Sequence, residues 1–230
     1  MKNLLLLITI PVLLLSGCTG SGRGPEISTH PDTSDWESLF NSGLNNSMFT
    51  EGSWHISDGV LTPSVDEVIW TLTEYENFIL DLEFKNEPGT NSGVIVYCTD
   101  RDNWIPNSVE IQIADDFADI WKNADKTWQC GAIFGHLPAS ESMVKQPGEW
   151  NRITISCYGK KIRVVLNGKL VTVMDMSLWT SSTTNPDGTK IPEWLSRPFA
   201  ELDTRGYIGL QGKHADAAVC FRDIRIKEIK

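Results

Sequence analysis

Between Asn77 and Lys85, Phe78, Leu80, Leu82 and Phe84 recur at every second position, with Ile79, Asp81, Glu83 and Lys85 between them. A period of two places the two sets on opposite faces of an extended chain, which a strand satisfies and a helix does not. The same period returns in Val94 to Cys98, Val109 to Ile113, Ile153 to Cys157, Ile162 to Leu166, Leu170 to Met174 and Val219 to Ile229, and no comparable stretch carries a helical period. Turn chemistry agrees. Asn167-Gly168, between Arg163-Val164-Val165-Leu166 and Lys169-Leu170-Val171, is the strongest short hairpin signal, because both positions tolerate positive φ. Asp58-Gly59 and Tyr158-Gly159-Lys160 punctuate the chain in the same way. Many short antiparallel strands predict an all-β domain of two packed sheets, a sandwich or jelly roll, with one sheet face free to curve around a ligand. Two segments break the rhythm, Asp115 to Gln129 and Ser177 to Asp203, the second carrying Pro186, Pro192 and Pro198. Loops of that length usually carry function or mobility.

The chain before these strands divides in two. Met1-Lys2-Asn3 followed by a largely apolar run from Leu4 to Leu15 reads as a secretory leader over residues 1–17, too short for a stable membrane span. Leu15-Ser16-Gly17-Cys18 resembles the lipobox of bacterial lipoproteins, which implies cleavage before Cys18 and acylation of that cysteine. Several acyl chains bury enough methylene groups to make such a tether effectively permanent. The expected location is therefore the cell envelope, exported and lipid-anchored. Thr19, in place of an inner-membrane-retention Asp, points to the outer membrane if the source is Gram-negative. Thr19-Gly20-Ser21-Gly22-Arg23-Gly24-Pro25 reads as a flexible tether, taken here as residues 18–34, and one domain follows over 35–230.

Net charge is −10, and removal of Lys2 with the leader makes it −11. That excludes nucleic acid as a natural partner. An acidic surface with nine tryptophans suits neutral polyhydroxy ligands, since aromatic faces stack on sugar C–H faces. Cys98, Cys130, Cys157 and Cys220 could pair in three ways, but Cys98 and Cys157 continue core-facing alternations, so buried free thiols are expected.

Three polar groupings stand out. In Ser108-Val109-Glu110-Ile111-Gln112-Ile113-Ala114-Asp115, Val109, Ile111 and Ile113 turn to the core and Glu110 with Gln112 turn away from it together. In Gly206-Tyr207-Ile208-Gly209-Leu210-Gln211-Gly212-Lys213-His214, Tyr207 and Gln211 share a face, and Lys213 and His214 follow the strand end. In Cys130-Gly131-Ala132-Ile133-Phe134-Gly135-His136, a histidine lands at a strand end. Histidine is readily poised as a base near neutral pH. His30, in the tether, and His55, after Trp54, receive no role.

Asp35-Trp36-Glu37-Ser38-Leu39-Phe40-Asn41, Gly52-Ser53-Trp54, Asp58-Gly59-Val60-Leu61 and Asn91-Ser92-Gly93-Val94 resemble successive signatures of the 3-keto-disaccharide hydrolase family. Val109 to Ile113, Gly131 to Gly135, Pro147 to Asn151, Gly206 to Gln211 and Phe221 to Lys227 continue the likeness in order, over about residues 35–230. The resemblance implies a concanavalin-like jelly-roll β-sandwich that cleaves glycosides already oxidised at C3. A C3 ketone acidifies the C2 hydrogen, so a base can form an enediolate that expels the C1 substituent, after which water adds. His136, His214 and Glu110 are the candidates for proton transfer. Lys213, Gln211 and Gln112 are candidates for polarising or binding, and Asn91 and Ser92 for sugar contacts. The chemistry also implies a partner sugar 3-oxidoreductase that installs the ketone. No cofactor is expected; a divalent metal on His136, His214, Glu110 or Asp115 could clamp the enediolate, but no ligand pair shows recognised spacing.

Two rival readings have discriminating features. A laminarinase-like retaining glycosidase uses a Glu-x-Asp-x-x-Glu strand and two carboxylates about 5 Å apart. Here Gln112 replaces the middle acid and Asp115 the distal one. A non-catalytic, lectin-like carbohydrate-binding module would scatter His136, His214 and Glu110 rather than cluster them.

Overall fold

A computed structural model describes residues 24–214 and 217–229. The leader and residues 18–23 of the expected tether, Cys18 among them, lie outside the described residues. The strands are β1 Glu37–Ser38, β2 Ser47–Met48, β3 Trp54–Ser57, β4 Val60–Pro63, β5 Ile69–Thr71, β6 Phe78–Asn86, β7 Asn91–Cys98, β8 Val109–Ala114, β9 Trp150–Tyr158, β10 Lys161–Leu166, β11 Lys169–Asp175, β12 Tyr207–Leu210 and β13 Val219–Glu228. One short helix, α1, covers Asp119–Lys122. Every stretch of period two became a strand.

The strands form two antiparallel sheets in a jelly-roll sandwich. The larger runs β11-β10-β9-β6-β13-β4-β3, with β1 also on β13, and the smaller runs β2-β5-β12-β7-β8. Both hairpin signals set their turns: Asn167 and Gly168 have φ 48° and 87°, Asp58 and Gly59 have φ 50° and 77°. Between the sheets, Phe78, Leu80, Leu82, Phe84, Ile153 and Ile155 of the larger face Val94, Val96, Val109, Ile111, Ile113, Ile208 and Leu210 of the smaller, all fully buried. Each such side chain contributes on the order of 1.5–3 kcal/mol by leaving water. Cys98, Cys130 and Cys157 are buried free thiols as expected, while the free Cys220 is only half-buried.

Residues 24–34, within the expected tether, lie along the outer face of the larger sheet. His30 Nδ1 lies 2.7 Å from Thr154 Oγ1 and its Nε2 accepts from the Gly168 N–H at 2.8 Å. The Thr154 hydroxyl donates to Asp81, so it must accept from His30 Nδ1–H, which fixes a neutral ring. Arg152 Nε donates to Asp81 Oδ1 at 2.9 Å, and its guanidinium also donates to the Pro31 carbonyl at 2.7 Å. Register explains the cluster: Asp81 stands opposite Thr154 in the β6–β9 pairing, and Arg152 is two residues away on the same face. Composition signalled flexibility here; a polar side chain with specific partners overrode it.

Burial, then the Arg152 charge, pushes His30 down to about 4. The unfolded chain therefore takes up this proton first. The stabilisation by His30 is full above about pH 6.5 and is lost as pH falls through about 4. His30→Ala should cost ~1–2 kcal/mol at pH 7 and much less at pH 4. Denaturant melts of both proteins at the two pH values check this, and an equal cost at both would count against it.

Candidate functional site

The pleat of β7 and β8 sends alternate residues outward from the smaller sheet. Gly93 pairs with Gln112 and Ile95 with Glu110, while the neighbouring Val94 pairs with Ile111 in the core. Gln211 continues β12 beside β7, its N–H donating to the Gly93 carbonyl at 2.9 Å, and His214 bridges to Asn91. These outward residues floor a cavity of about 330 Å³ lined by Asn91, Glu110, Gln112, Gln211 and His214. Five of the eight candidate residues thus come together.

Aromatic side chains wall it: Trp104, Trp121, Trp128, Phe134 and Trp194, with Ile105. Gly131 to Phe134 run along the free edge of β8, the Phe134 N–H donating to the Glu110 carbonyl at 3.0 Å and the Gly131 N–H to the Gln112 carbonyl at 2.9 Å. This covers the edge and sets Phe134 beside the floor. Trp128 packs against Phe134 and Trp194, with centroids 5.7 and 6.4 Å away. Trp121 on α1 is held by its Nε1–H on the Gly89 carbonyl at 3.1 Å. The two long segments that broke the strand rhythm therefore supply walls. Four of the nine tryptophans lie here, all outside the strands, and that placement is the signal by which sequence reasoning could have found them.

Glu110 is half-buried against the β7 backbone. A Cβ on Gly93 would meet Glu110 Oε1 at 2.2 Å and Cγ at 2.7 Å, so the carboxyl occupies space that any side chain at 93 would fill. Loss of water pushes Glu110 up to about 8, so at neutral pH it is mostly protonated. Gln112 Nε2 donates to Asn91 Oδ1 at 2.9 Å. Gln211 Oε1 is buried with no partner among the described residues, a free acceptor in the cavity lining. His214 Nδ1 lies 2.6 Å from Asp66 Oδ2, and Asp66 was not singled out in the sequence because it sits in a loop without periodicity.

Three candidates stand elsewhere. Ser92 turns inward with the core set and donates to the Gln211 carbonyl at 2.7 Å. Lys213 is half-buried and is not among the residues that line the cavity. His136 is buried, its ring stacked on Phe199 at 3.8 Å between centroids. Its Nδ1 donates to the Phe134 carbonyl at 2.7 Å, Nε2 has no partner among the described residues, and burial pushes the ring down to about 4, hence neutral. Its direct contact is with the turn that carries Phe134. Asp115 accepts from the Gly89 and Phe117 N–H groups at 2.9 and 3.1 Å. Glu110 is thus the one carboxylate lining the cavity among the described residues, which leaves the retaining glycosidase route without its second acid. No group of three or more His, Cys, Asp and Glu side chains gathers among the described residues to hold a metal.

The 3-keto-alpha-glucoside-1,2-lyase-like domain family matches residues 35–227. A solved glycosyl hydrolase candidate from Parabacteroides distasonis is 57% identical, covers 84% of this chain and 99% of its own, and superposes with a TM-score of 0.83. A curated 3-keto-disaccharide hydrolase from Bacteroides thetaiotaomicron is 29% identical over 175 residues, 67% of this chain and 59% of that protein. The chain therefore spans under two thirds of the length of that relative. A carbohydrate-binding module from Bacillus subtilis, 9% identical over 82% of this chain and 99% of its own with a TM-score of 0.51, shares the fold alone.

Because Glu110 binds its proton more tightly in the folded chain than in the unfolded one, its contribution to stability is full below about pH 4.5 and is lost as pH rises through about 8. Glu110→Gln should therefore melt above wild type at pH 9, by ~1–3 kcal/mol, with the gap closing towards pH 4.5. Thermal melts across that range check it; a variant less stable at pH 9 would contradict the burial of this carboxyl.

Proposed function

The chain belongs to the 3-keto-alpha-glucoside-1,2-lyase-like domain family, and from that membership and the cavity over the smaller sheet we propose that it cleaves 3-keto-glycosides. The observation that carries this reading is a protonated carboxyl, Glu110, sharing one aromatic-walled cavity with a histidine whose Nδ1 is already engaged. A proton donor and a proton acceptor facing one cavity are what an acid and a base acting together require.

His214 Nε2 takes the proton from C2 of the oxidised sugar. The C2–H electron pair becomes the C2=C3 bond, and the ketone π pair moves onto O3. Gln211 or Gln112, through its amide N–H, donates to that oxygen. The electrons then return from O3, C1=C2 forms, the C1–O bond breaks, and the leaving oxygen takes the Glu110 proton. Water adds across C1=C2: its oxygen bonds to C1 and gives a proton to the Glu110 carboxylate, and His214 returns its proton to C2. Both side chains end as they began. The aromatic walls hold the sugar by its C–H faces.

This reading carries two companions. Another enzyme, of the oxidoreductase class, must install the ketone, and Cys18 would hold the domain at the cell envelope by lipid. Aromatic walls alone would also serve a carbohydrate-binding module, so binding and turnover are measured separately.

The soluble chain beginning after Cys18 is incubated with a 3-keto-glucoside and with the unoxidised glucoside. Release of 3-ketoglucose from the oxidised sugar alone is expected, and binding without turnover would favour the module. Glu110→Gln and His214→Ala should each lower kcat by about 10²- to 10⁴-fold. In wild type, kcat should fall as pH rises through about 8, where Glu110 loses its proton. His136→Phe, if folded, should keep most of its activity; loss of activity in a fully folded variant would return His136 to the chemistry.

A further inference from the structure

Asp66 lies in the loop between β4 and β5, far in sequence from the residues that line the cavity. Its carboxylate oxygen Oδ2 stands 2.6 Å from His214 Nδ1, and a carboxylate can only accept. His214 therefore carries a proton on Nδ1, and in the neutral ring Nε2 is the bare nitrogen. A second observation shows how the loop is brought there. Gly212 lies so close to it that a Cβ at 212 would meet the Val65 carbonyl at 2.3 Å and the Glu67 carbonyl at 2.6 Å. The Lys213 N–H also reaches the Val65 carbonyl, at 3.4 Å. The backbone leading into His214 is thus pressed against the backbone flanking Asp66, and the two side chains meet beyond that contact.

The pair contributes little to stability. Both side chains are about half exposed, at 50% and 47%, and water screens pairs of that kind. A short, specific bond of small energetic weight at the rim of a cavity is better explained by orientation than by folding. Ser92 strengthens the frame from below, its hydroxyl holding the Gln211 carbonyl one residue before Gly212.

We infer that Asp66 is the positioning residue of the site, fixing the tautomer and orientation of His214 so that Nε2 is presented as the base, with Gly212 as the close contact that allows it. This rests on the cleavage reading above, and it assigns function to a loop outside the motifs that identify the fold. Asp66 acts only through His214.

The test uses Asp66→Ala and Asp66→Glu in the full soluble domain. Both should melt with wild type, since the pair is exposed. Ring 15N chemical shifts of His214, measured without substrate above neutral pH, should show an Nδ1–H ring in wild type, lost in Asp66→Ala and restored in part by Asp66→Glu. With a 3-keto-glucoside, Asp66→Ala should lose about 10- to 100-fold in kcat with KM within about twofold. An unchanged ring tautomer in Asp66→Ala, or a kcat within about twofold of wild type, overturns the inference. If wild type itself turns over no 3-keto-glycoside, the cleavage reading fails, and the 15N signature alone then decides whether Asp66 sets the His214 ring. Gly212→Ala gives a second line: it should reproduce the Asp66→Ala ring signature by forcing the loop away, and a wild-type signature there would remove Gly212 from the argument.

Discussion

In the pairing of β7 with β8, Val94 meets Ile111 on the inner face while Gly93 meets Gln112 on the outer. A pleat offers no intermediate choice: a slip of one residue would send Glu110 and Gln112 into the core and Ile111 to the solvent. Burial of Val94, Val96, Val109, Ile111 and Ile113 therefore does two things with one interaction. It holds the smaller sheet against the larger, and it fixes which polar side chains look outward. The cavity floor is the reverse side of the core, and its geometry inherits the precision of core packing.

Much of this was legible in the chain because a two-residue period is a local property. Each long run of Val, Ile, Leu and Phe at alternate positions became a strand, and Glu110 with Gln112 faced the cavity because their neighbours faced the core. What could not be read is what depends on loops crossing from elsewhere. Asp66 meets His214 across 148 positions of sequence, and nothing in Ser64-Val65-Asp66-Glu67 announces it. His136 shows the converse. A histidine at a strand end beside glycines suggested a base, but Phe199 arrives from a distant loop and covers the ring. The segment around His30 looked like a linker because Gly, Ser and Pro dominate just before it, whereas the hydrogen bonds to Thr154 and Gly168 are tertiary.

The electrostatics of the domain and of its cavity differ in kind. Over the whole chain acids outnumber bases to give −10, yet among the described residues one carboxyl lines the cavity and burial keeps it mostly protonated near neutral pH. The other polar floor groups are amides and one imidazole. Such a surface repels anions at long range and presents hydrogen-bond donors and acceptors at close range, which suits the uncharged sugar proposed as substrate. The exposed Trp194 and the more enclosed Trp121 and Trp128 would offer that sugar apolar surfaces on more than one side.

Gly93 draws a wider consequence. It has no side chain to contribute, yet the acidity of the site is set by the volume it leaves empty. An alanine there would be almost invisible to hydropathy or strand propensity, and it would be accommodated by a flexible neighbour rather than by the backbone. The neighbour that moves is Glu110, and a carboxyl turned out towards water regains ordinary acidity. The strength of the proposed acid would thus be encoded on the adjacent strand, so a change of one methyl group could retune it while leaving the fold and every named polar residue in place.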